Sequence, residues 1–197
     1  DIYKICKDAP KYGNDIPEVD HVCSYMCTKM ADYIESFKSH YGKFTTGIIP
    51  VTANTAFGWG TMALPSGRKA GMPLGDGVGP NAGTDFNGAT AVMKSVARLV
   101  PDRFTNGTLM NMKLEPSLMK TEAGIVQCMN MLKTLCILGV YHCQFNVVDQ
   151  EKLEAAQEHP EDYAGLLVRV AGYTAYFVEL GKDVQDEIIS RTTQEKF

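Results

Sequence analysis

The sequence predicts an α/β fold with mostly parallel strands, because segments with helical spacing alternate with short strand-like segments from residue 88 onward. In chain order we expect helix 88–100, strand 108–115, helix 121–139, strand 141–149, helix 151–159 and strand 166–170. A strand–helix–strand order favours parallel neighbours, since a parallel pair needs a long crossover connection.

Individual residues support these elements. The run TLMNMKLE at 108–115 alternates like a strand, Gly139 is a typical C-terminal stop for helix 121–139, and Pro160 ends helix 151–159. In the N-terminal part, apolar residues recur at three- and four-residue spacing in 18–39, which predicts an amphipathic helix with a polar face that includes Asp20. Its apolar residues are Val19, Val22, Met26, Met30 and Ile34.

Between residues 42 and 87 the chain is dense in Gly and Pro and contains one strand-like run, GIIPVTA. A segment of this length without regular structure is unusual in a compact domain. We therefore expect it to be functional or to pack against other parts of a larger protein.

Composition limits the classes of function. The 197 residues are 45% hydrophobic, enough for one core, and no run of about 18 apolar residues predicts a membrane span. The net charge is −4 with interspersed signs, which argues against nucleic-acid binding. The six scattered cysteines are interpreted as reduced thiols in a cytoplasm. The N-terminus begins without Met and shows no secretory signal, and we interpret it as starting within a longer chain.

Motifs for metals and cofactors are weak. Cys23 and Cys27 are one helical turn apart, but the third position of a CxxxCxxC cluster is Met30, so we interpret both as core or interface residues. The match to GxGxxA at 77–82 follows no apolar strand and contains Pro80, so a glycine-rich loop is the better interpretation. The four histidines show no ligand spacing, and we predict no metal.

The sequence also argues against a cysteine protease. His142 and Cys143 are neighbours on a predicted strand, so their side chains point to opposite faces and cannot act as a nucleophile and base pair.

Gly172 lies inside the most apolar stretch near the C-terminus, LLVRVAGYTAYFVEL. Glycine in such a run costs roughly 0.5–1 kcal/mol relative to alanine, so this position uses a property that only glycine has. One interpretation is a strand-to-helix turn that requires positive φ. The other is chemistry at the Cα hydrogens.

Several motifs, in order along the chain, are informative together: PSGRKAGMPLGDGVGP, GTDFNGATAVMKSVARL, NGTLMNMKLEPSLMKTEAG, YHCQFNVVD, RVAGY and DEIISRT. With them the chain resembles the glycyl radical enzymes, the pyruvate formate-lyase-like family, from about Tyr12 to Thr193. RVAGYTAYF and FNVVD look like its dehydratase, decarboxylase and lyase branch rather than pyruvate formate-lyase itself.

The resemblance implies that Gly172 carries a stable backbone radical, within a loop formed by Arg169, Val170, Ala171 and Tyr173. The radical would be installed after translation by an activating enzyme that uses S-adenosylmethionine and an iron–sulfur cluster, and no bound cofactor is expected. The implied fold is the C-terminal part of an α/β barrel, with the radical loop inserted into its interior. Apolar flanks fit a buried loop: Val168, Val170, Tyr173, Tyr176 and Phe177.

The same resemblance suggests two domains. Residues 1–100, including the Gly/Pro-rich segment 42–87, would end the barrel region, and residues 101–197 would form the glycyl radical domain. It also implies an oxygen-sensitive homodimer, and the charge and hydropathy patterns predict neither a nucleic-acid nor a membrane partner.

In the family, the glycyl radical oxidises a cysteine whose thiyl radical attacks a small organic substrate. No cysteine here has the sequence context of that residue, so we expect it in an upstream part of the same enzyme. An autonomous spare glycyl radical subunit, or a structural or repair module that is not itself catalytic, is the alternative to a fragment of a longer lyase.

The substrate is suggested by the residues around Pro50. Family members that act on diols usually have Tyr where this chain has Ile49, and Val51 follows, so both would face the substrate with an apolar wall. This favours an arylacetate-type decarboxylase. The alternative is a C–O or C–N lyase or dehydratase like choline trimethylamine-lyase or glycerol dehydratase.

Overall fold

The computed structural model describes residues 1–50 and 52–197. The helices are α1 Ile2–Asp8, α2 Pro17–Glu35, α3 Ala53–Gly60, α4 Ala89–Ala97, α5 Glu122–Ile137, α6 Gln150–Glu158 and α7 Lys182–Ser190. The strands are β1 Lys38–Ser39, β2 Gly42–Lys43, β3 Met110–Leu114, β4 Cys143–Val147, β5 Leu167–Arg169, β6 Thr174–Tyr176 and β7 Thr193–Gln194. Short 3-10 helices lie at Pro101–Arg103, Pro116–Met119, Pro160–Tyr163 and Phe177–Glu179.

A three-stranded parallel sheet forms the centre of the fold. β3 lies in the middle and pairs in parallel with β4 on one edge and β7 on the other. Met110 is opposite Cys143, and Lys113 is opposite Thr193. Helix α5 makes the crossover from β3 to β4, as a parallel pair requires. The predicted parallel strands at 108–115 and 141–149 are confirmed.

The last predicted strand does not join this sheet. β5 pairs antiparallel with β6, with Leu167 opposite Tyr176 and Arg169 opposite Thr174. The extension of the parallel arrangement to 166–170 was therefore wrong. Only four residues separate the two strands, which is enough for a hairpin and too short for a parallel crossover.

The N-terminal half differs from the prediction in two helices. The predicted helix 18–39 is confirmed as α2 but ends at Glu35. Asp20, which was predicted to lie on its polar face, is fully buried, and its carboxylate accepts hydrogen bonds from Ser95 and Arg98. Helix α3 was missed, because its two glycines are poor helix formers. A Cβ at one of them, Gly58, would come within 2.4 Å of the Met72 carbonyl oxygen, so packing requires glycine there.

Two apolar clusters form the core. The first joins α4 and α5 to β3 through Val92, Met93, Val96, Met110, Met112, Leu114, Met131 and Leu135. The second lies under the β5–β6 hairpin and joins it to α6 and α7 through Leu153, Ala156, Val168, Val170, Phe177 and Ile188. The hairpin is therefore anchored by its own core.

Helix α2 leaves much of its apolar face uncovered in this chain. Val22, Met26 and Met30 are each more than half exposed. Within the part of the chain that the structure describes, no helix has the length and apolar character needed to cross a bilayer.

Candidate functional site

The β5–β6 hairpin turns at Ala171 and Gly172. The Val170 N–H donates to the Tyr173 carbonyl at 2.9 Å, which closes the turn, and Gly172 has φ +89°. A Cβ at Gly172 would meet no atom within 4 Å. Glycine is therefore favoured here by the left-handed backbone conformation, while the space around its Cα is open. The turn is a hairpin turn rather than the strand-to-helix turn considered from sequence.

Asn146 of β4 holds the hairpin to the parallel sheet. Its side-chain Nδ2 donates to the Arg169 carbonyl at 2.7 Å, and its Oδ1 accepts from the Arg169 N–H at 2.8 Å. The buried amide thus satisfies both backbone groups of one residue, as a neighbouring strand would.

Gln144, two residues earlier on the same face of β4, contacts the turn itself. The Gly172 N–H donates to Gln144 Oε1 at 3.1 Å, and Gln144 Nε2 lies 3.0 Å from His142 Nε2. Gln144 is buried, whereas Gly172 and His142 are exposed. Residues 142, 144 and 146 share one face because side chains alternate along a strand.

Arg191, just after α7, also binds the backbone of the hairpin. Its guanidinium donates to the Val170 carbonyl at 2.8 Å and to the Arg169 carbonyl at 3.3 Å. The same group makes two bonds to Glu187, at 2.8 and 3.1 Å, and lies 3.4 Å from Asp76. Burial lowers the pKa of Arg191, but the two carboxylates outweigh that effect and the net shift is upward.

Arg191, Glu187, Asp76 and Lys113 form what we call the buried charge cluster. Burial raises the pKa of Asp76 to about 6, although Arg191 opposes the shift. Burial, with Arg191 as second cause, lowers the pKa of Lys113 to about 8, and its ammonium donates to the Ile189 carbonyl at 2.9 Å. The cluster borders a cavity of about 620 Å³ between the Gly/Pro-rich segment and α7.

The residues of the loop and its flanks differ in their exposure within this chain. Val168, Val170, Ala171 and Phe177 are buried, but in this chain Tyr173 is 39% and Tyr176 43% exposed, and Gly172 is exposed between them. Tyr173 directly precedes β6 and Tyr176 ends it, so an exposed aromatic side chain lies at each end of this short strand. The Arg169 side chain lies across the hairpin and donates to Thr174 Oγ1 at 2.7 Å.

The residue predicted to face the substrate, Ile49, is 49% exposed. Its neighbour Ile48 pairs in parallel with Thr108, at the amino end of β3. The Met110 N–H donates to the His142 carbonyl at that same end, so Ile49 and the Gln144–Gly172 contact lie towards one end of the sheet. Val51 lies outside the described residues.

Cys23, Cys27 and Cys143 are poorly suited to act as thiolates. All six are free thiols, and burial raises the pKa of Cys23 and Cys27. It also raises the pKa of Cys143 to about 12. Within residues 1–50 and 52–197, no three His, Cys, Asp or Glu side chains are grouped as a metal site would require.

Sequence reasoning missed the residues that hold the hairpin. The sequence pattern could have indicated Gln144 and Asn146, because they are polar residues at alternate positions of a largely apolar strand. The i,i+4 pair of Glu187 and Arg191 was also readable, because it is typical of a helix. Asp76 carried no such signal, because its place next to Arg191 depends on the path of an irregular segment.

Comparison with known proteins adds to this geometry. The family model described as glycine radical matches residues 74–178, and the model described as pyruvate formate lyase-like matches residues 1–58. A probable dehydratase, YbiW, of Escherichia coli (strain K12) is 38% identical over 96% of this chain and 24% of its own length. The 4-hydroxyphenylacetate decarboxylase glycyl radical subunit of Clostridioides difficile (strain CD196) is 39% identical over 98% of this chain and 22% of its own length.

A solved structure on 1,2-propanediol dehydration in Roseburia inulinivorans is 44% identical, with a TM-score of 0.94, over 98% of this chain and 24% of that chain. The chain thus spans about a quarter of the length of the relatives it matches. It has the α/β fold of the C-terminal portion of those proteins. The chain belongs to the glycyl radical enzyme family.

Proposed function

We propose that this chain is the radical-bearing part of an anaerobic glycyl radical enzyme and that Gly172 is the radical position. The enzyme cleaves a C–C or C–heteroatom bond of a small organic substrate. The observation that carries the proposal is the state of Gly172: its Cα is open to approach, while buried side chains hold its amide and the carbonyls of Arg169 and Val170.

The chemistry suits a glycine at this place. Removal of one hydrogen atom from Cα leaves a carbon radical that can become planar, because no side chain resists flattening. The unpaired electron then spreads between the donating amide nitrogen and the withdrawing carbonyl. The open space at Cα is what a radical S-adenosylmethionine activase with an iron–sulfur cluster needs in order to take that hydrogen atom.

In the next step the Gly172 radical takes a hydrogen atom from a cysteine thiol and becomes an ordinary glycine again. The thiyl radical formed on that cysteine attacks the substrate. The cysteine belongs to an upstream part of the enzyme, and the exposed side of the hairpin, with Tyr173 and Tyr176, enters the barrel interior where water and oxygen are excluded. We also propose that the enzyme is a homodimer and that residues 1–100 and 101–197 belong to two different domains. A cytoplasmic location completes the proposal, because it suits six free thiols.

For the substrate we favour an arylacetate, with release of the carboxyl group as the reaction. Ile49 offers an apolar side chain at the same end of the sheet as Gly172, and Val51 is proposed to extend that wall. The 39% identity to a subunit named for 4-hydroxyphenylacetate decarboxylation is in line with this. Dehydration of a small polar substrate is the second candidate, because the solved structure on 1,2-propanediol dehydration is 44% identical.

The test is electron paramagnetic resonance of the protein after anaerobic treatment with its activase. We expect a doublet from coupling to the single remaining α-hydrogen, and its loss in Gly172→Ala. Gly139 is a matched control, since it also has positive φ and open space around a Cβ. Gly139→Ala should keep the doublet, whereas a doublet that persists in Gly172→Ala would refute the assignment.

A further inference from the structure

We propose that Gln144 is a positioning residue that stabilises the radical on Gly172 by accepting a hydrogen bond from its amide. This inference rests on the proposed function, because it assumes that Gly172 carries the radical. It concerns a residue on another strand, 28 positions away in sequence.

The geometry fixes the Gln144 amide group in one orientation. A backbone N–H can only donate, so the oxygen of Gln144 must be the atom that faces Gly172 N, at 3.1 Å. The nitrogen of the amide then faces His142 Nε2 at 3.0 Å. With the amide nitrogen as donor, this ring nitrogen is the acceptor, which corresponds to the tautomer with its proton on Nδ1. Both ends of the Gln144 amide are thus occupied.

Burial makes this contact persistent. Gln144 is 5% exposed and lies in β4, opposite Asn111 of β3. Its oxygen has lost water as a partner, so the Gly172 N–H is the group that satisfies it. Gly172 itself is exposed, yet its amide is held by a buried side chain, so the contact fixes the turn although the turn faces outward.

The contact acts on the electronic structure of the radical. The hydrogen atom leaves Cα, and the N–H bond stays intact, so Gln144 remains bound before and after activation. An acceptor at the N–H polarises the bond and raises the electron density on nitrogen. The nitrogen then donates more strongly to the half-filled orbital on Cα, which lowers the energy of the radical relative to the parent glycine.

If Gln144 had a purely structural role, its loss would act like the loss of Asn146, so the two residues can be compared. Asn146 also holds the hairpin from β4, but it binds Arg169 and not the glycine. Loss of Asn146 should loosen the hairpin and leave the Gly172 amide bonded. Loss of Gln144 should change the amide.

The first measurement uses the protein before activation. Hydrogen exchange of the Gly172 amide, followed by NMR, should be about five- to tenfold faster in Gln144→Leu than in the wild type, the factor expected for one net hydrogen bond. Gln150→Leu is the matched control, because Gln150 is exposed and bonds only to Glu154 among the contacts described. It should leave the exchange rate unchanged.

The second measurement uses the activated protein labelled with 15N-glycine. In Gln144→Leu we expect a lower radical yield, a smaller 15N coupling and a wider α-hydrogen doublet, since less spin reaches nitrogen. Gln144→Glu restores an acceptor and should restore the coupling. Asn146→Leu should lower the yield without changing the 15N coupling.

The outcomes separate the two proposals. A Gly172 doublet with the same 15N coupling and yield in wild type and Gln144→Leu would overturn the inference alone. A wild-type protein without a doublet, or one whose doublet persists in Gly172→Ala, would overturn the inference and the proposed function together.

Discussion

The guanidinium of Arg191 donates to the Val170 carbonyl at 2.8 Å, two residues before Gly172. Because the same guanidinium binds both oxygens of Glu187, the hairpin turn is tied to helix α7 through buried charge. The turn therefore combines a Gly172 Cα that is open to approach with a backbone that Arg191 holds in place.

We expect Arg191→Met to destabilise the protein strongly. The change leaves Glu187 and Asp76 buried without their cation and the Val170 carbonyl without its donor, which costs about 3–5 kcal/mol for a broken buried pair. Denaturant unfolding measures the loss. Lys182→Met in the same helix removes an exposed pair with Asp186 and should cost below about 1 kcal/mol. Equal losses in the two variants would show that the buried charge cluster does not anchor the hairpin.

Stability should fall between the two pKa values of Asp76. Its folded-state pKa, about 6, lies above the 3.8 of a free carboxyl, so folding favours the protonated form. The contribution is fully present below pH 3.8 and is lost as the pH rises through about 6. Asp76→Asn should remove this slope in unfolding free energy measured against pH. Asp162→Asn, at an exposed carboxyl, should keep it, and a slope unchanged in Asp76→Asn would contradict the assignment.

Residues 1–197 expressed alone should associate through the apolar face of α2, where Val22 and Met26 are exposed. Val22→Lys combined with Met26→Lys should reduce association in size-exclusion chromatography and light scattering. Glu18→Gln combined with His21→Lys changes the net charge equally and removes no large apolar side chain. If this control reduces association as much, charge rather than the apolar face is responsible.

Much of the fold was predictable because local patterns and long-range packing agree. The crossover α5, the parallel strands β3 and β4, and the stop at Gly139, which has φ +71°, follow from periodicity and capping. The hairpin was not predictable as antiparallel from its first strand, because β6 is only three residues long and carries little pattern.

The candidate site divides in the same way. Gly172 was found from its surroundings in sequence, and the resemblance gave it a role. The contacts from Gln144, Asn146 and Arg191 depend on how β4 and α7 approach the hairpin, which only the three-dimensional packing specifies. Tyr173 and Tyr176 are exposed in this chain, and their burial in a barrel interior stays a prediction.

The position of the radical can be read directly from chain cleavage by oxygen. A carbon radical on a backbone Cα adds dioxygen to give a peroxyl species, and its breakdown cuts the chain at that residue. After air exposure of the activated protein, mass spectrometry should find a C-terminal peptide that begins near Tyr173 and includes the residues up to Phe197. Cleavage should be slow while the rest of the proposed barrel covers the turn and faster when mild denaturant opens that barrel. The unactivated protein should stay intact, and a cut elsewhere, or an equal cut without activation, would contradict the placement of the radical at Gly172.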